Sequence, residues 1–144
     1  MVGVAVDWIL TTLFSVALTR SYLDPGIFAL EGAERDAAFK AGIELLFVST
    51  DFLLASLLTG MLATVMAAYV GARRAGTLPL KHGLAVALMS GLSVLLVYVL
   101  PGEEPSLQVP LWYDALGWVL LVPAGILGGY LARQLASTGS AGSD

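Results

Sequence analysis

A chain of 144 residues that is 58% hydrophobic and 12% charged, with a mean hydropathy of +0.85, is excluded from the ordinary water-soluble domains. A folded soluble chain of this size still leaves roughly a third of its unfolded surface in water. The absence of cysteine and the single histidine, His82, exclude disulfides, Cys-ligated zinc or iron–sulfur centres and a bis-His haem, and a net charge of −4 speaks against a nucleic-acid partner.

Four apolar stretches remain, at about residues 2–20, 45–72, 83–100 and 111–132, each close to the roughly 20 apolar residues that a helix needs to cross about 30 Å of hydrocarbon. The expected fold is therefore all-α: a polytopic four-transmembrane-helix bundle over residues 1–136, with residues 137–144 as a disordered polar tail. The first stretch carries Asp7, has no Lys or Arg before it and is followed by no A-x-A site, so it reads as a retained span and not as a signal peptide.

The segment after it holds the turn signal Asp24-Pro25-Gly26 and then a run from Glu31 to Thr50 without proline, with apolar residues at Ala37, Ala41, Leu45 and Val48. That pattern predicts a second helix that begins near Ala33 and continues unbroken to Arg74, extended above the outer face of the membrane. Glu44 and Asp51, seven residues apart, would then share one face of it.

The loop from Ala72 to His82 contains Arg73, Arg74 and Lys81 and no acid. Short cytoplasmic loops are enriched in Lys and Arg, so both termini are expected in the cytoplasm and the acidic loop from Pro101 to Pro110 outside. Small residues recur at four-residue steps in Ala63, Ala67 and Gly71, in Gly83, Ala87 and Gly91, and in Gly125 and Gly129. Such ridges permit the close backbone approach on which helix association in lipid depends. Pro123 removes one backbone bond from the fourth span, and a kink is expected there. Trp8, Trp112, Trp118, Tyr22, Tyr69, Tyr98, Tyr113 and Tyr130 read as aromatic belts at the interfaces, and His82 beside Lys81 as an interface anchor.

Ionisable groups at membrane depth are costly unless paired, and they mark ion or proton routes. The candidate ion or proton site consists of Asp51, Glu44, Asp114 and Asp7, with Asp51 expected to be the acid most sensitive to charge removal. No G-x-S-x-G elbow, Walker loop or H-E-x-x-H occurs, so no enzyme, metal or cofactor is expected. The stretches Val6-Asp7-Trp8, Tyr69 to Gly76 leading into His82-Gly83-Leu84, and Trp112-Tyr113-Asp114 with Gly128 to Arg133 resemble those of small uncharacterised bacterial four-span inner-membrane proteins. The resemblance implies fold and location and no activity. The expected role is that of a non-enzymatic interaction or accessory subunit, with the lipid bilayer, other membrane subunits or a second copy of the chain as partners. The rival expectation is a small homodimeric transporter or channel that uses the outer-side acids for a cation.

Overall fold

The computed structural model describes residues 2–99 and 109–139. Five α-helices follow in order: α1 (Val2–Tyr22), α2 (Gly32–Leu46), α3 (Thr50–Ala75), α4 (Pro79–Val99) and α5 (Leu111–Gly139), with a 3-10 turn at Pro25–Ala29 between the first two. No strand occurs among the described residues. Four helices, α1, α3, α4 and α5, are long and apolar enough to cross a membrane, as in a multi-pass membrane protein. Much of the acidic loop from Pro101, together with residues 140–144 of the polar tail, lies outside the described residues.

The long second helix expected from the sequence is instead two helices. Leu46 ends α2, residues 47–49 form a turn, and Thr50 begins α3. The physical cause lies in Ser49-Thr50-Asp51. Ser49 takes an extended conformation and its hydroxyl accepts from the Phe52 amide at 3.5 Å, as an N-cap does, while Asp51 sits in the first turn, where the helix dipole favours an acid. Phe47 then meets Phe52 edge to face, with ring centroids 5.8 Å apart, and Tyr22 also meets Phe52 edge to face, at 5.4 Å. These rings join a core of Leu23, Leu46, Phe52 and Leu53 that holds α2 against the ends of α1 and α3. Glu44 and Asp51 thus lie on different helices.

In the bundle α3 is central and packs against α1, α4 and α5, while α4 also packs along α5. Close approach is achieved at glycines. A methyl group built on Gly83 would strike the Gly125 carbonyl and stand 2.8 Å from the Gly129 nitrogen; one on Gly129 would stand 2.6 Å from the Pro79 carbonyl. On α1, Gly3 admits Val86 of α4 and the backbone of Ala67 on α3, with Gly71 beside it. Ala63, Ala67 and Ala87 are fully buried. Two ends can be distinguished. The basic end carries the α3–α4 turn with Arg73, Arg74 and Lys81, which begins at Gly76 in the left-handed conformation (φ 69°); the opposite end carries α2. Large apolar side chains such as Ile9, Leu13, Leu58, Leu62, Leu88 and Val119 cover the outer surface, where lipid can meet them without cost.

Candidate functional site

The four long helices leave a cavity of about 780 Å³ between them, within the range that holds a drug-sized molecule. Its wall is built from four-residue steps. On α1, Asp7, Thr11 and Ser15 follow one another on one face below the packing glycine Gly3; on α3, Ser56, Gly60 and Thr64 do the same. Ser90 and Ser93 come from α4, and Tyr113, Asp114 and Trp118 from α5.

The deep end lies where Asp7, Thr64, Ser90 and Ala124 converge, with exposures of 7%, 6%, 4% and 2%. Toward the α2 end the wall opens, and Thr11, Thr12 and Ser15 are exposed. Gly60 matters by its size: a methyl group there would meet nothing within 4 Å, so the missing side chain is part of the open volume.

Hydrogen bonds tie part of the wall together. The Trp8 indole donates to the Ser93 hydroxyl at 3.2 Å, and Ser93 donates to the Ser90 carbonyl at 2.7 Å. The Ser56 hydroxyl meets the Tyr113 hydroxyl at 3.0 Å. Two groups are left over: Oδ1 of Asp7 and Oγ of Ser90 are buried and have no hydrogen-bond partner among the described residues. A carboxyl oxygen without a partner in a low-dielectric interior is costly, and both of these orphaned oxygens belong to residues of the cavity wall.

The four candidate acids do not form one group. Asp7 stands at the deep end of the cavity and Asp114 at its upper wall, whereas Asp51, in the first turn of α3, and Glu44, on α2, are exposed and lie outside the lining. Arg35 pairs with its neighbour Asp36 at 3.6 Å on the surface, a contact worth little there. Among the described residues no group of three or more His, Asp or Glu side chains is placed to hold a metal ion.

Several wall residues carry no mark in the sequence. Ser56, Thr64, Ser90 and Ser93 are common residues in membrane helices, and only their convergence singles them out. Trp8, Trp118 and Tyr113 read as interface aromatics, and the structure turns them along the cavity. The signal that could have found the site is the Asp7-Thr11-Ser15 spacing beside Ser56-Gly60-Thr64, two polar stripes in otherwise apolar helices. His82, by contrast, remains local: its Nδ1 lies 3.2 Å from the Leu78 carbonyl at the start of α4. Comparison of the chain with protein-family models, with curated proteins and with solved structures finds no match.

Proposed function

We propose that the chain is a non-enzymatic integral membrane protein that receives a small solute within its own helix bundle and works as a small transporter or channel. The observation that carries this reading is the cavity shared by all four long helices, with unpartnered oxygens of Asp7 and Ser90 buried in its wall. A bundle built only for cohesion gains nothing from either feature. Small residues such as Gly60 leave space that larger side chains could have filled, and an orphaned carboxyl in hydrocarbon costs several kcal/mol. That cost is removed when a ligand enters the space and pairs with the carboxyl. An accessory subunit, the other reading, would be expected to spend its polar groups on its outer face, where a partner could reach them.

The test uses Gly60, whose missing side chain leaves open space. Gly60→Leu starts from a Cβ position with nothing within 4 Å; it should fill part of the cavity, hold thermal stability in detergent near that of wild type, since glycine inside a helix costs about 0.5–1 kcal/mol relative to alanine, and abolish ligand binding. Thermal shift of the purified protein with a panel of amines, inorganic ions and neutral solutes measures both. At least one class should stabilise the wild-type protein and leave Gly60→Leu unchanged. If no class acts on either protein, and mild extraction instead brings down a second membrane chain in fixed ratio, the accessory reading takes its place.

A further inference from the structure

Among the described residues the cavity wall carries two carboxyl groups, Asp7 and Asp114, and no lysine, arginine or histidine. Whatever enters meets acceptors and negative charge with no basic side chain of the wall to offset them. An anion finds no positively charged partner there. For a hard inorganic cation such as calcium, which takes six or more oxygen ligands, no group of three or more acids is placed among the described residues.

Beside its hydroxyl groups the rest of the lining is apolar and aromatic. Trp8 follows Asp7 directly on α1, its indole fixed by the bond to Ser93, and Trp118 of α5 lies against the α4 backbone: a methyl group on Gly91 would stand 3.0 Å from its ring. Indole rings attract a cation to their faces, most strongly when it is desolvated. A carboxyl with an unpartnered oxygen, two indoles and an open space of about 780 Å³ lined by apolar side chains and hydroxyls form a combination that suits a bulky monovalent cation carrying its own apolar groups.

Resting on the solute-binding reading above, we propose that the cavity binds lipophilic organic cations, quaternary onium ions or protonated amines with aromatic or alkyl substituents, with the Asp7 carboxyl as counter-ion and the Trp8 and Trp118 rings as its aromatic walls. Such a molecule brings the charge that Asp7 lacks and fills the apolar volume. Its apolar groups also let it approach through the lipid toward the mouth at Thr11, Thr12 and Ser15, which are exposed.

Two probes of the same shape and opposite charge test the charge preference directly: tetraphenylphosphonium and tetraphenylborate, with neutral triphenylphosphine oxide as the third. Binding to the full chain in detergent micelles is followed by equilibrium dialysis and by quenching of tryptophan emission. The phosphonium should bind saturably and at least about tenfold more tightly than the borate, because discrimination by a buried charge amounts to that or more. Asp7→Asn should weaken the phosphonium by about tenfold or more and leave the neutral oxide unchanged, while Gly60→Leu should remove both. Comparison of the two ions on the wild-type protein needs no variant, so a poorly folding Asp7→Asn does not rescue the idea.

If all three probes bind the wild-type protein equally and Gly60→Leu rejects them, the cavity reading stands and the cation preference is overturned. Equal phosphonium binding to wild type, Asp7→Asn and Gly60→Leu places the probe elsewhere and overturns the preference as well. Absence of binding by every probe overturns it too, and if the wider panel of solutes also fails, the solute-binding reading falls with it.

Discussion

Asp7 has an unpartnered oxygen and 7% exposure, so its removal should raise stability, as happens where a binding group is kept at a structural cost. Asp7→Leu replaces an orphaned polar group with an apolar one of similar reach beside open space. It should raise stability in detergent by about 1–3 kcal/mol, measured by thermal unfolding followed by circular dichroism, and a fall would show that the carboxyl is satisfied in place. The glycines make a second residue-level contrast. Gly83→Ala drives a methyl group into the Gly125 carbonyl and the Gly129 backbone, neither of which can rotate away, and should cost about 1–3 kcal/mol or more. Gly60→Ala, with nothing within 4 Å, should gain about 0.5–1 kcal/mol from helix propensity. Gly91 is intermediate, because a methyl group there would meet the movable side chains of Leu121 at 2.6 Å and Trp118 at 3.0 Å. The same unfolding scans rank all three.

At the scale of elements, the turn at residues 47–49 separates a short polar helix from a long apolar one. α2 contributes a single buried residue, Leu46, and is held by the cluster of Leu23, Leu46, Phe52 and Leu53 with Phe47, Ile43 and Ile27 against it. Phe52 is the hinge of that cluster, meeting both Tyr22 and Phe47 edge to face. Phe52→Ala should therefore remove about 3–5 kcal/mol of packing and release α2 before anything else. Hydrogen exchange measures this: faster exchange is expected in Gly32–Leu46, with residues 60–75 of α3 unchanged. Equal acceleration of both would mean that α2 and α3 unfold as one unit. Helices α3 and α5 have the opposite character. Their small residues, among them Ala68 and Gly128, let them meet almost backbone to backbone, since a methyl group on Gly128 would stand 2.6 Å from the Ala68 side chain and 2.9 Å from the Tyr69 amide. Pro123 interrupts the hydrogen bonding of α5 beside Ala124 at the cavity's deep end, without ending the helix.

For the molecule as a whole, charge points to an orientation in a bilayer, and we propose the one with the basic end in the cytoplasm. Arg73, Arg74 and Lys81 lie together at one end without a compensating acid between Ala72 and His82, and positively charged short loops stay in the cytoplasm. A reporter fused after Asp144 should be active in the cytoplasm and silent outside; the reverse would invert the orientation and place the mouth of the cavity on the cytoplasmic side. The four apolar helices are legible in the sequence, because runs of this length have few low-energy states in hydrocarbon other than helices with every backbone group bonded internally. The glycine and alanine steps are legible as close contacts for a similar reason, since only small side chains let helix backbones approach. The break ahead of α3 is written in Ser49-Thr50-Asp51, a helix-start signal that the surrounding run of good helix formers conceals. What the sequence alone determined about this protein is thus its set of apolar helices, their small-residue contacts and the sign of charge at each end. Only the tertiary structure decided that Asp7, Thr64 and Ser90, from three different helices, face one space. The polar stripes on α1 and α3 do not say which neighbours they meet, so the rotation and depth of each helix are set by packing at Gly3, Gly83 and Gly125.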